Sequence, residues 1–331
     1  MRRRVLRSLF VLAAAAVSAS ACVPRLLAPV EARPGPLPAG ADVTLSVDGA
    51  PLRVLALATG SVTVTPCHHH GCFPEDRGLF RRMVRILWDD RTVPAMPVWS
   101  YVVVHPEGLF AVDAGAHSAF DVPASWDCEP VAGTLNHAIL ALEAPPEASL
   151  AAQLRARGLG TPEAVVLTHQ HADHTAGLLA FDGVVALTGR GDLEHARDIG
   201  AAPCRFEGHA TLEAIEDALP ELETGPSERE RALGTPRALT EDGRFVAFAT
   251  GGHTPGSLTL RLTTDQGVIW FVGDLAFEAE ALDPAAPTAG IHTNPPRVRA
   301  LQRTLARLTE GDLVLPSHDP RAALRLQAFG R

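Results

Sequence analysis

Residues 168–177 read Thr-His-Gln-His-Ala-Asp-His-Thr-Ala-Gly, so His169, His171, Asp173 and His174 fall within six positions. Side chains at i and i+2 of an extended segment point to the same side. His169 and His171 can therefore share one metal ion, while Asp173 and His174, beyond a turn, can face a second. Imidazole and carboxylate suit zinc and its first-row neighbours. A polar loop with chance histidines is the plain alternative, but so many ionisable groups directly after an apolar strand are costly unless a cation compensates them. Three later residues repeat the design, each a ligand type at the end of an apolar run. His253 follows Thr250-Gly251-Gly252, Asp274 follows Ile269–Val272 and Gly273, and His318 follows Leu313–Pro316 and Ser317. Singly each reads as a turn residue; with the first segment they make a set of seven. The glycines before His253 let the backbone pass close to a metal.

Two divalent ions held close together lower the pKa of a shared water. The expected chemistry is hydrolysis by a hydroxide between them, with one ion polarising the oxygen under attack and the other stabilising the leaving oxygen. Asp173 is expected to hold a metal and to orient that hydroxide. No Gly-x-Ser-x-Gly elbow occurs, and no serine or cysteine nucleophile is needed.

The elements that must position these residues are legible in part. Val43–Val47 and Leu52–Leu57 are strand-like. Val98–Val104 and Leu109–Val112 are split by His105-Pro106-Glu107-Gly108, as in a hairpin. Residues 147–158 read as a helix, with Leu150, Leu154 and Leu159 at helical spacing. Ala164–Leu167 is a short strand running into the histidine segment. Phe245–Ala249, Leu258–Leu262 and Val268–Val272 are three more strands, and Leu313–Leu315 is the last. Pro296–Thr309 reads as a helix with a proline start, with Val298, Leu301, Leu305 and Leu308 on one face and Gly311 as its stop. Strands dominate both halves and helices follow in each, which predicts one α/β domain over residues 42–331.

Of 331 residues, 46% are hydrophobic and 20% charged, a globular composition. The net charge of −9 argues against nucleic acid as a partner, since phosphate binding needs a basic surface. Lysine is absent, so all 29 basic residues are arginine. Arg2, Arg3, Arg4 and Arg7, the apolar run Leu9–Val17 and Ala19-Ser20-Ala21 form the n, h and c regions of a signal peptide over residues 1–21. The apolar run is too short to span a bilayer. Removing residues 1–21 deepens the charge to −13, because they carry four arginines and no acid. Cleavage before Cys22 resembles a lipoprotein processing site, in which that cysteine is lipidated and anchors the protein to a membrane; plain secretion gives the same end. Residues 22–41, with Pro24, Pro29, Pro34, Pro36 and Pro38, read as an extended tether. The expected location is therefore the periplasm or its membrane surface. Cys67, Cys72, Cys128 and Cys204 are an even number suited to an oxidising compartment, paired 67–72 and 128–204 or left as buried thiols.

The His-x-His-x-Asp-His segment, followed in order by His253, Asp274 and His318, resembles the signature of the metallo-β-lactamase superfamily. That resemblance covers most of residues 52–320. It implies an αββα sandwich, with two mixed β-sheets packed face to face and helices outside. It also implies a dinuclear site, with zinc as the expected metal. His169, His171 and His253 would hold one ion, Asp173, His174 and His318 the other, and Asp274 would bridge them. The run Phe110-Ala111-Val112-Asp113-Ala114-Gly115 also resembles this family, in which the aspartate supports the site without being a ligand. Within the superfamily, Met96-Pro97-Val98-Trp99-Ser100-Tyr101 and the turns around His253 and His318 are most similar to the N-acyl-homoserine lactone lactonases. A small lactone or related ester is then the expected substrate. Many such lactonases carry a tyrosine three residues after the bridging aspartate, where this chain has Phe277; its one tyrosine is Tyr101. Phosphotriesterase or thioesterase activity on the same site, and a surface metal-binding lipoprotein without activity, are the alternatives.

Trp88, Met96, Trp99, Tyr101 and Phe277 are candidates for an apolar pocket wall. Cys67-His68-His69-His70-Gly71-Cys72 can bind a further metal or line the pocket rim, or it is a solvated loop pinned by a disulfide. His117 can reach the site from the Asp113 turn, or be a hydrogen-bonded histidine without a role there. His105, His137, His195, His209 and His292 receive no role.

Overall fold

The computed structural model describes residues 28–33, 35–72, 78–283 and 285–331. Its strands are β1 (Ala41–Val47), β2 (Ala50–Val64), β3 (Met96–His105), β4 (Gly108–Val112), β5 (Leu140–Glu143), β6 (Ala164–Val166), β7 (Val184–Thr188), β8 (Ala210–Ala214), β9 (Pro236–Ala238), β10 (Phe245–Ala249), β11 (Leu258–Thr264), β12 (Gly267–Gly273) and β13 (Leu313–Pro316). The helices that matter here are α1 (Pro66–His70), α2 (Leu79–Trp88), α3 (Pro130–Ile139), α4 (Leu150–Ala156), α5 (Ala172–Thr175), α6 (Pro295–Leu308) and α7 (Ala322–Phe329).

Alternation of apolar residues builds two layers. Along β2, Leu52, Val54, Ala56 and Ala58 point into a core shared with Phe245, Ala247, Leu260, Ile269 and Phe271 of the other sheet. The intervening Leu55 and Leu57 point outward, where Leu150, Ala151 and Leu154 of α4 cover them. On the second sheet Val246, Phe248, Trp270 and Val272 point outward under Val298, Leu301 and Leu305 of α6. Period-two alternation with both faces buried is what a sheet between a helix layer and another sheet requires. The result is the expected αββα sandwich. One sheet has the order β1-β2-β3-β4-β6-β7-β8 with β5 beside β2, and the other β13-β12-β11-β10-β9. Both are mixed: β4, β6, β7 and β8 run parallel, as do β12 and β13, beside antiparallel pairs.

Several elements differ from the expectation. β2 runs on to Val64, past Thr59-Gly60-Ser61, whose polar character hides the strand; it shifts register against β3 between Ala58 and Gly60, then pairs with β5. The helix expected over 147–158 is a short 3-10 turn at Pro146–Ala148 followed by α4. Neither α2 nor α3 was anticipated. α2 sets Arg81, Arg82 and Arg85 among its apolar residues, and α3 opens on Pro130.

Residues 1–21 and Cys22, to which export and lipidation were assigned, lie outside the described residues. Residues 28–33 and 35–40 form no helix or strand, yet they lie along the domain. The Val30 N–H donates to His137 O at 2.8 Å, the Arg33 N–H to Thr63 Oγ1 at 3.2 Å, and Leu37 packs on the inter-sheet core. Cys67 is bonded to Cys72, closing the loop around α1, and Cys128 to Cys204, tying the approach to α3 to residues 203–206. Among the described residues no helix is long and apolar enough to cross a membrane.

Candidate metal centre

The C-terminal ends of β4, β6, β10, β12 and β13 lie at one edge of the sandwich, and every candidate ligand follows one of them. Two backbone hydrogen bonds stitch the sheets together there, Leu258 N–H to Thr168 O at 2.7 Å and Trp99 N–H to Ser317 O at 3.0 Å. Strand ends leave backbone groups without ladder partners, and the loops that follow are free to turn side chains inward.

His169, His171 and His253 form one triad. His169 Nε2, His171 Nδ1 and His253 Nε2 lie 2.9, 3.1 and 3.0 Å apart pairwise. Ligand nitrogens about 2.0–2.1 Å from a tetrahedral ion sit roughly 3.3 Å from one another, so the three converge as ligands do. Asp173, His174 and His318 form the second triad, with Asp173 Oδ2 at 3.3 Å from His318 Nε2 and 3.8 Å from His174 Nε2. Asp274 stands between them. Its Oδ1 faces His318 Nε2 at 3.3 Å and His174 Nε2 at 3.4 Å, and its Oδ2 faces His253 Nε2 at 3.7 Å and His169 Nε2 at 3.9 Å. One carboxylate oxygen is thus turned to each triad. His174 Nε2 and Asp274 Oδ1 are buried and make no hydrogen bond among the described residues. Orphaned buried polar atoms of this kind are costly and need an explanation. Two divalent cations fit this donor set of five imidazoles and two carboxylates.

Four of the five imidazoles are aimed by their other nitrogen. His174 Nδ1 donates to Asp113 Oδ2 at 2.7 Å, His318 Nδ1 to Pro97 O at 2.9 Å, and His169 Nδ1 to the Thr168 hydroxyl at 3.2 Å. His253 Nδ1 pairs with His292 Nδ1 at 2.8 Å. Asp113 also accepts from the Thr168 N–H at 2.7 Å and from the Thr168 and Ser317 hydroxyls at 2.9 and 3.2 Å. To do so it adopts φ +60°, a left-handed conformation uncommon outside glycine. The turn into His253 passes through Gly251 and Gly252 at φ +60° and +103°.

Burial, helped by neighbouring imidazoles, holds His169 and His253 well below the usual histidine range, and burial lowers His171 to about 4. The second triad goes the other way. Burial opposes charge on His174 and His318, yet the facing carboxylates win, raising His174 well above its usual value and His318 to about 10. Burial opposes charge on Asp173 and Asp274 too, but the same imidazoles lower Asp173 to about 2 and Asp274 well below the carboxylate range.

A cavity of about 370 Å³ opens over the centre, with His171, Asp173, Asp274 and His318 at its floor. Leu79, Phe80, Met83, Val84 and Leu87 of α2, Leu135 and Ile139 of α3, and Val62, Met96, Phe277 and Ile291 make an apolar wall. Met96 and Phe277 are therefore where the sequence suggested. Three other wall candidates are not. Trp99 and Tyr101 alternate inward on β3, are fully buried between the sheets, and donate to Asp319 O at 2.8 Å and Pro316 O at 2.5 Å. Trp88 is half exposed at the end of α2 and borders a separate groove with Val30 and Arg33. His117 does not reach the site; its Nδ1 caps a 3-10 turn by accepting from the Ala119 N–H.

Sequence reasoning missed Asp192 and gave His292 no role; His68, from the segment suggested for the pocket rim, does line the cavity. Asp192 is fully buried and joins two ligand loops: it accepts from the Gln170 N–H at 3.0 Å, the Thr254 hydroxyl at 3.0 Å and the Gly256 N–H at 2.6 Å. A Cβ on Gly256 would come within 2.3 Å of the Asp192 nitrogen, so glycine is required at that approach. A signal did exist: Gly191-Asp192 after the strand Val184–Thr188 repeats the arrangement of Gly273-Asp274.

The chain belongs to the metallo-beta-lactamase superfamily of metal-dependent hydrolases, whose family model matches residues 93–318. Among solved structures it is similar to a variant of B. thuringiensis AiiA with N-decanoyl-L-homoserine bound at its active site, at 17% identity over 84% of this chain and 94% of that one, with a TM-score of 0.59. It is also similar to AidC, a dizinc quorum-quenching lactonase in complex with a product, at 14% identity over 86% and 92%, TM-score 0.51. The hydrolase AbOPH of the beta lactamase superfamily is similar at 15% identity over 86% and 92%, TM-score 0.51. At such identities the shared property is the fold. No curated protein matches the chain.

Proposed function

We propose that this protein is a two-metal hydrolase that opens a lactone or a related ester. The observation that carries the reading is Asp274, with one oxygen turned to each triad at the floor of an apolar cavity. Two divalent ions held there, with zinc as the proposed metal, would supply a nucleophile at neutral pH and polarise the carbonyl under attack. His169, His171 and His253 would hold one ion, and Asp173, His174 and His318 the other. Asp113, Asp192 and His292 hold the imidazole-bearing loops in place. Asp173, whose Oδ2 borders both His318 and His174, would also orient the attacking water. The apolar wall suits an acyl chain, and its volume lies in the range of small-molecule sites. The likeness to AiiA and AidC, whose structures hold an acyl-homoserine, supports the same substrate class.

A second reading is favoured by one observation. Phe277 offers no proton to a leaving alkoxide, and the Tyr101 hydroxyl is committed to Pro316 O between the sheets. A substrate whose leaving group needs no proton, such as an aryl phosphotriester, meets that condition. Metal content and a panel of acyl-homoserine lactones, aryl esters, a thioester and aryl phosphotriesters test both readings. Turnover of the phosphotriester alone would replace the first by the second, and fewer than about one ion per chain would remove the two-metal reading.

We propose further that the protein works after export, with Cys22 as a lipid anchor. The two disulfides, which persist in oxidising compartments, support this. The mass of the mature N-terminus tests it.

A further inference from the structure

We propose that His68 is a specificity-determining residue of this site: its Nε2 accepts a hydrogen bond from a substrate N–H group beside the ester carbonyl, so a substrate carrying that N–H is favoured over an otherwise equal one that lacks it. This rests on the lactone reading above and narrows it.

His68 is buried and borders the cavity over the metal centre. Its ring centroid is 6.3 Å from that of Phe277, which in turn lies 5.4 Å from His318. The residue is fixed on every side. Its N–H donates to the Thr65 hydroxyl at 3.2 Å, its carbonyl accepts from the Gly290 N–H at 2.8 Å, and the Cys67–Cys72 bond closes the loop around it. The ring is fixed too, with Nδ1 facing Ile139 O at 3.2 Å. A nitrogen facing a carbonyl must carry the hydrogen, so in the neutral ring Nε2 bears a lone pair. Burial favours that neutral form over the pull of Asp173 and Asp274. Nε2 makes no hydrogen bond among the described residues.

Asn136 spends its amide hydrogens on Ala132 O at 2.8 Å and Gly200 O at 2.9 Å, and so presents no donor to the cavity. An acceptor that opens on the cavity with no protein donor penalises any ligand that covers it without a hydrogen and rewards one that supplies it. In an N-acyl amino-lactone that hydrogen sits on the amide nitrogen, one carbon from the carbonyl under attack.

The test compares N-hexanoyl-homoserine lactone with its N-methylated analogue, which lacks the N–H, on the metal-loaded enzyme. The wild type is expected to prefer the N–H substrate in kcat/KM by about tenfold or more. His68→Phe, which keeps the ring volume, should lose that preference by slowing the N–H substrate about tenfold while moving the N-methyl analogue less than about threefold. His68→Gln, which restores an acceptor, should recover part of it. A parallel fall on both substrates, the mark of a structural role, or no change on either would overturn the proposal. If the wild type opens both lactones but His68→Phe keeps the preference, this inference alone fails. If the wild type opens neither, the lactone reading fails and takes it along.

Discussion

The two halves of the metal centre are built from similar residues and prepared in opposite ways. His169, His171 and His253 face each other with one Asp274 oxygen beyond them, and burial keeps them unprotonated. Against burial, Asp113, Asp274 and Asp173 hold a proton on His174, and Asp274 and Asp173 hold one on His318. Each half also has its own buried aspartate. Asp192 gathers the loops of the all-imidazole triad through Gln170, Thr254 and Gly256. Asp113 gathers those of the mixed triad through His174 and Ser317, and touches the other triad only indirectly, through the Thr168 hydroxyl that His169 Nδ1 faces. The difference teaches that the first half can take a cation without giving up protons, while the second must exchange protons for it.

The largest effect should come from the residue the halves share. Asp274→Ala is expected to lower kcat by on the order of a thousandfold, the scale of losing one electrostatic group at a reacting centre, and to leave at most one ion per chain. Two ions with activity within about tenfold of wild type would deny Asp274 its bridging place. Next are the orienting aspartates. Asp192→Ala should weaken the ion at the all-imidazole triad, and Asp113→Ala the ion at the mixed triad, each by about 10–100-fold. Competition with a metal-sensitive dye, resolved into two affinities, checks this; equal weakening of both ions by either variant would erase the distinction.

Proton exchange sharpens the same contrast. In the ion-free protein His318 is raised to about 10, so below that pH a cation must displace its proton. Affinity at the mixed triad should therefore rise with pH, by up to about tenfold per unit for each proton displaced. At the all-imidazole triad, with His171 lowered to about 4, affinity should be flat above roughly pH 5. Calorimetry in buffers of different ionisation enthalpy reads the protons released, and equal release at both steps would contradict the contrast. The smallest effect concerns the wall. Met83→Ala should raise KM for a long acyl chain by about fivefold, whereas Trp88→Ala, outside the cavity, should leave it unchanged.

The candidate ligands were legible because each stands where an apolar strand stops, a pattern carried by neighbouring residues in the chain. His169, His171, Asp173 and His174 are close in sequence, and Gly251-Gly252-His253, Gly273-Asp274 and Ser317-His318 each show the change of character locally. The pocket was much less legible. Trp99 and Tyr101 have the composition of a wall but sit on the inward face of β3, and the face a strand residue takes depends on what packs above it. The wall itself is largely α2, whose arginines mask its apolar stripe; Arg82 is buried with its guanidinium on His292 O at 2.5 Å.

By itself the sequence determined the identity and order of the seven candidate ligands, the alternation that builds two buried sheets, and a cysteine count that allows two bridges. Those properties are local, or are sums over local choices. Only the tertiary structure decided that Asp274 turns one oxygen to each triad, that Asp113 and Asp192 each serve one of them, and that His68 leaves a bare nitrogen at the cavity. These depend on segments far apart in the chain meeting at hydrogen-bond distance, and side-chain direction at such a meeting is set by packing from both sheets at once.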